Sequence, residues 1–148
     1  MSAVDCPSFS LRLSSDVAGK NQLRARLKEF GEIRHWPAET RNELELVIEE
    51  WMTNLCSYAF AGIAKPTIEV QVSATENEAF VRISDNGIPF NPENHPAPDF
   101  SIPPEDRPIG GLGIHMMKQL VDALSYERKA GRNILQLKKL LQPKSENQ

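Results

Sequence analysis

Residues 109–121 read Ile109-Gly110-Gly111-Leu112-Gly113-Ile114-His115-Met116-Met117-Lys118-Gln119-Leu120-Val121. Ile114, Met117, Leu120 and Val121 recur at helical spacing, so the stretch reads as an amphipathic helix opened by three glycines. Glycine in a helix costs about 1 kcal/mol relative to alanine. That cost makes sense where something must approach the backbone closely. The unpaired amides of a first helical turn, with the helix dipole, form an anion site. The run is not a dinucleotide fingerprint, which needs GxGxxG directly after a strand, nor a Walker A loop, because no Gly-Lys-Ser/Thr follows.

Upstream, residues 86–109 hold seven prolines (89, 92, 96, 98, 103, 104 and 108) and no periodicity. Structureless segments of that length tend to be lids or binding loops, and we place a lid at about residues 88–109. Before it, 67–74 and 79–84 alternate with period two. They put Ile68, Val70 and Val72, then Ala79, Val81 and Ile83, on one face, with a turn over 75–78. An earlier strand over 8–13 carries Phe9, Leu11 and Leu13. Ser14, Ser15 and Asp16 offer cap chemistry for a helix from Val17 to about Phe30, broken by Gly31. A second helix is predicted over about 41–61, with Thr40 and Glu43 as a capping box and Gly62 as its stop. The chain closes with strands over 124–128 and 133–139, turned at Ala130-Gly131. The expected fold is a two-layer α/β (α+β) sandwich in one domain, residues 1–148. A mixed sheet would be covered on one face by three helices.

The bulk numbers bound the function. With 148 residues, one domain can bury a full core. The net charge of -3, from 17 basic and 20 acidic residues, gives no basic excess of the kind that rewards nucleic-acid binding. Cys6 and Cys56 form no CxxC pair, and Cys56 in an apolar helical run reads as a buried thiol. His35, His95 and His115 share no ligand spacing, so no zinc site is expected. Trp36 and Trp51 read as packing residues, with Trp36 also placed where a partner surface could use it. The N-terminus lacks a signal-peptide pattern, and no apolar run nears the roughly 20 residues that span a bilayer. A cytoplasmic protein is expected.

Two further stretches carry chemistry. In Glu49-Glu50-Trp51-Met52-Thr53-Asn54, Glu50 and Asn54 share a helix face beside the core. Asn is unfavourable in mid-helix because its side chain competes with the backbone, so it calls for a reason. Its oxygen can join phosphate oxygens around Mg²⁺, while Glu50 can orient and deprotonate a hydroxyl. Asp85-Asn86-Gly87-Ile88-Pro89 ends an apolar strand in turn chemistry. A buried Asp85 carboxylate can accept the exocyclic amine of adenine, and Gly87 lets the backbone pass close.

At these residues the chain resembles the Bergerat-fold (GHKL) ATPases. Residues 49–54 look like the family's Asn box, 85–89 like its D-x-G-x-P/G box, and 110–114 like its second glycine box. The resemblance covers about residues 8–140 and is strongest to the small stand-alone anti-sigma regulatory factor type, which are serine/threonine protein kinases. It implies transfer of the ATP γ-phosphate to a serine of an anti-anti-sigma partner, with Mg²⁺. In many members it also implies a held sigma factor and a homodimer, and it implies neither nucleic acid nor membrane as partner. Carried over, Glu50 is the catalytic base and Asn54 the Mg²⁺ ligand. Asp85 and Gly87 form the adenine site, and Gly110, Gly111, Leu112 and Gly113 the phosphate site. Arg107 is a basic lid residue for the γ-phosphate. The chain departs from many relatives in having Tyr58 where they have histidine. It also has Gly131-Arg132-Asn133 where they have Gly-Thr, so Asn133 stands near the adenine with a larger side chain that can donate and accept similar bonds. Two alternatives stay open: an ATP-binding interaction module with little turnover, and a histidine-kinase-like ATP domain acting in trans.

Overall fold

The computed structural model describes residues 6–94, 101–106 and 111–141. In chain order the elements are β1 (Ser8–Leu13), α1 (Val17–Ile33), α2 (Ala38–Asn54), a π turn (Leu55–Ala59), β2 (Ile68–Ala74), β3 (Glu78–Asp85), α3 (Gly111–Leu120), β4 (Ala123–Lys129) and β5 (Arg132–Leu140). Short 3₁₀ turns at Pro92–Asn94 and Pro104–Asp106 lie in the lid region.

The sheet runs β1-β2-β3-β5-β4. Every neighbouring pair is antiparallel, where a mixed sheet was expected. The reason is topological. The lid and α3 carry the chain from β3 over to β4 at the edge, and the hairpin return β5 then inserts between them. The strand that meets β3 therefore runs against it. That hairpin turns on Ala130 and Gly131 with φ of 54° and 76°, the two left-handed residues of a type I′ turn.

Register builds the core row by row. Leu13, Ile68, Asp85, Asn133 and Arg128 lie opposite one another across the five strands. The next row is Leu11, Val70, Ile83, Leu135 and Tyr126, and the one after it Phe9, Val72, Val81, Leu137 and Leu124. Against this face pack Leu23, Leu27 and Phe30 of α1, Leu44, Val47, Ile48 and Trp51 of α2, and Ile114 and Met117 of α3. Each such buried side chain contributes about 1.5–3 kcal/mol. The opposite face carries exposed Arg12, Glu69, Gln71, Arg82 and Gln136, so the helices form a single second layer.

The helix ends differ from the sequence expectation. Asp16 caps α1, its Oδ1 accepting from Gly19 N at 3.2 Å. Gly31 does not stop α1, because it lies inside the helix with Trp36 packed over it. The helix instead ends two residues later, at Ile33. His35 takes φ 60°, and Trp36 N donates to Gly31 O at 2.9 Å, the long bond of a Schellman end. Trp36 folds back edge-on to Phe30, with centroids 5.5 Å apart. Helix α2 starts at Ala38 without a side-chain cap. Thr40 lies buried in its first turn, and Glu43 pairs with Lys139 at 2.6 Å instead of closing a capping box. Lys139 also donates to Leu120 O at 2.6 Å, placing a cation at the C-terminus of α3. Past Asn54 the α-helix gives way to the π turn, and Cys56 there is exposed rather than buried.

His35 carries a side chain at a backbone position that favours glycine. His35→Gly should raise unfolding stability by about 0.5–1 kcal/mol, read as a higher urea midpoint at unchanged slope.

Candidate functional site

Glu50 and Asn54 meet one turn apart on α2. Asn54, 2% exposed, donates through Nδ2 to Glu50 O at 2.8 Å and to Glu50 Oε2 at 3.1 Å. Both partners can only accept, so the orientation of the carboxamide is settled and its oxygen points away from Glu50. The neighbouring Glu49 faces elsewhere and takes a two-pronged pair of bonds from Arg24, at 2.7 and 2.8 Å. Glu50 in turn lies against the first turns of α3, where a Cβ on Gly113 would overlap its Oε2. A carboxylate there is favoured by the helix dipole. The glycine at 113 thus has a local reason beyond any ligand, because it makes room for the Glu50 carboxylate. Helix α3 begins at Gly111 with Leu112 in its first turn. Gly110 and Arg107 lie outside the described residues.

Asp85 ends its core row fully buried, 0% exposed. Its Oδ1 accepts from Gly87 N at 2.8 Å and from Asn133 Nδ2 at 2.9 Å, while Oδ2 has no partner among the described residues. Burial raises the carboxyl above its ordinary range. The bonds from Asn133 and Gly87 and the charges of Arg132 and Arg128 oppose that rise.

The turn after Asp85 is tied down on all sides. A Cβ on Gly87 would stand 2.6 Å from Ala59 O and 2.7 Å from Ala59 Cβ, so the loop is pressed against the π turn. Ile88 N donates to the same Ala59 carbonyl at 2.8 Å. Arg128 donates to Gly87 O at 2.7 Å, and Asn86 bridges Thr67 N and Lys65 O at 2.8 and 2.9 Å. The π turn that ends the helix supplies the anchor of the Asp85 loop.

Asn133 is fully buried and already engaged. Its Nδ2 donates to Asp85 Oδ1 and to Ile88 O at 2.8 Å, and its Oδ1 accepts from Phe90 N at 3.1 Å and from the Tyr126 hydroxyl. Its carboxamide therefore holds Asp85 and the loop together. Phe90 stacks on Tyr58 with centroids 5.4 Å apart and tilts against Trp51 at 5.5 Å. Tyr58 so packs under the start of the lid.

Four contributors escaped the sequence reading: Ala59, Phe90, Tyr126 and Arg128. For Tyr126 and Arg128 a signal existed, since period-two alternation from Leu124 puts both on the core face. Ala59 and Phe90 act through loop contacts that no periodicity encodes.

The donor set fits a magnesium nucleotide. Asp85 Oδ2 is a buried acceptor awaiting an N–H, and the glycine-led end of α3 suits phosphate. Among the described residues no three His, Cys, Asp or Glu side chains gather as a metal site, so a divalent ion would rely on Asn54 and on oxygens brought by the ligand. Among the described residues no helix is long and apolar enough to cross a membrane.

The family described as the histidine kinase-like ATPase domain matches residues 13–139. The serine/threonine-protein kinase BtrW of Bordetella bronchiseptica is 32% identical over 110 residues, covering 74% of this chain and 78% of that protein. The serine-protein kinase RsbW of Listeria monocytogenes is 29% identical over 104 residues, covering 68% of this chain and 66% of that protein. The crystal structure of the RsbU and RsbW domains of Rv1364c from Mycobacterium tuberculosis shares the fold with a TM-score of 0.61 at 15% identity, over 93% of this chain and 33% of that one.

The packing and the buried acid each make a testable demand. Gly113→Ala should lower stability by about 1–3 kcal/mol through overpacking against Glu50. In a Glu50→Ala background the same change should stabilise by up to about 1 kcal/mol, the ordinary helix preference. Urea unfolding of the four chains of that cycle checks both signs. Because folding raises the Asp85 carboxyl, Asp85 contributes stability that is greatest below the ordinary carboxylate range. That contribution is lost as pH rises through the higher folded value. Asp85→Asn removes the decline, so the stability difference between variant and wild type should grow in the variant's favour with rising pH.

Proposed function

The chain belongs to the histidine kinase-like ATPase domain family, and on that premise we propose that it is a Mg-ATP-dependent serine/threonine protein kinase acting as an anti-sigma regulatory factor. One juxtaposition carries the reading: the Glu50 carboxylate lies at the first turns of the glycine-led α3, one helical turn from Asn54 on α2. Base and phosphate site are thereby brought to one place by two elements far apart in sequence.

Asp85 Oδ2 takes the adenine amine. The amides at the start of α3 take the phosphates, as a helix N-terminus does for anions. The amide oxygen of Asn54 would hold Mg²⁺, which when bound supplies charge stabilisation to the phosphate oxygens. Glu50 receives the proton of an acceptor serine hydroxyl as the serine oxygen bonds to the γ-phosphorus and the bond to ADP breaks. Arg107 is proposed as a second catalytic group, bringing positive charge to the γ-phosphate from the lid. Leu112 and Gly110 are proposed to complete the phosphate turn with Gly111 and Gly113.

The acceptor is a serine on an anti-anti-sigma-type protein, and a sigma factor is a second partner. Both are proposals, as are a homodimer and a cytoplasmic site of action.

Calorimetry with ATP, with and without Mg²⁺, comes first. Micromolar binding, about -8 kcal/mol, strengthened by Mg²⁺ and lost in Asp85→Asn, is the expected result. Incubation with labelled ATP and the anti-anti-sigma-type proteins of the same genome should then place label on serine. Glu50→Gln should slow that transfer by about 10²–10⁴-fold while leaving ATP binding in place. ATP binding without transfer to any such protein would reject the kinase and leave the interaction module; label on histidine would favour the in-trans ATP domain.

A further inference from the structure

The Tyr126 hydroxyl has no role in the ATP site proposed for this chain, yet it closes the network around Asp85. Tyr126 lies on β4 opposite Leu135, which places it diagonally from Asn133 on the same face of the sheet. Diagonal neighbours in a sheet are within reach of an aromatic side chain. Its hydroxyl donates to Asn133 Oδ1, and Phe90 N reaches the same hydroxyl at 3.3 Å.

The direction of the Asn133 carboxamide is set by its partners. On the Nδ2 side stand a carboxylate oxygen and a backbone carbonyl, which only accept. On the Oδ1 side stands the amide of Phe90, which only donates. Tyr126 adds a second donor on that side. With the carboxamide so held, Asp85 Oδ1 receives two N–H groups, from Asn133 and Gly87, and Oδ2 receives none. The site then offers an incoming base one buried acceptor at a fixed place. A ring bearing an amine satisfies it. A ring bearing a carbonyl or only hydrogen there leaves a buried carboxylate oxygen unpaired.

We propose that Tyr126 is a positioning residue for base selectivity, which acts through Asn133 to reserve Asp85 Oδ2 for the 6-amino group of a purine. The inference rests on the ATP reading of the site. Without the hydroxyl, the Asn133 oxygen keeps only Phe90 N. The carboxamide keeps its direction but is held less firmly, and the Asp85 carboxylate that it positions is held less firmly with it.

The test compares ATP with purine riboside triphosphate, which lacks only the 6-amino group, in wild type and in Tyr126→Phe. A hydrogen bond to a charged group is worth about 1.5–3 kcal/mol, so wild type should prefer ATP by about 10–100-fold. Tyr126→Phe should cut that preference about tenfold by weakening ATP, with purine riboside triphosphate binding unchanged. In an Asp85→Asn background Tyr126→Phe should leave the preference where it is. Circular dichroism checks that the variants fold, which the loss of one hydroxyl from a half-buried ring should permit. Equal weakening of both nucleotides would assign Tyr126 a merely structural role and overturn the inference. So would an unaltered preference. Absence of any preference in wild type would instead reject Asp85 as the adenine acceptor, and this inference with it.

Discussion

A carboxylate at the end of an apolar row has to be met by donors, and the chain arranges five segments around that one requirement. The row that begins with Leu13 and Ile68 passes into Asp85, Asn133 and Arg128 with no change of register. On one side of Asp85 the turn folds back so that Gly87 N reaches it; on the other, β5 brings Asn133. The turn can fold that tightly because it lies against the π turn, whose Ala59 carbonyl takes Ile88 N. Lid, sheet edge and helix end are therefore fixed to one another through a single buried acid. Because one of its oxygens stays unmatched, the free protein carries a standing cost that a donor-bearing ligand can relieve.

The second joint is between helices. Glu50 is shared by Asn54 on its own helix and by the glycine-led start of α3. A carboxylate at a helix N-terminus and a phosphate at the same end are attracted by the same dipole. In the proposed site the two joints would face different ends of a nucleotide, and β3, α2 and α3 connect them through the core. Packed interiors transmit displacement poorly by bending and well by shifting whole elements, so a ligand that touches both ends acts on the helices as units.

Much of this was legible. Strands β2 and β3 have one wet face and one dry one, so alternation located them within a residue and put Asp85 at the strand end. The unfavourable Asn54 in mid-helix and the glycines before Ile114 also stood out as costs needing a reason. What failed had a tertiary cause. Gly31 reads as a stop, but Trp36 folded over it lets α1 continue. Thr40 and Glu43 have cap spacing, but Lys139, distant in sequence, claims Glu43. The antiparallel sheet depends on which strand of the last hairpin enters the middle, which local pattern does not state. Asn133 was picked out as a site residue, yet its bond to Tyr126 follows from strand register and its bond to Phe90 from loop packing.

The π turn also makes the helix a ruler. A π turn holds one residue more than the α turn it replaces, so residues 55–59 carry a one-residue insertion at the C-terminal end of the helix. A chain one residue shorter here would close into ordinary α geometry and rotate the downstream backbone by about 100°. The carbonyl now at Ala59 would then point away from Ile88, and the loop after Asp85 would lose its anchor although every side chain of the Asn54 face stayed in place. Related sequences that align through Asn54 can therefore differ in how firmly that loop is held. The mark of the difference is a gap of one position between Asn54 and Gly62 rather than any exchange of residue type.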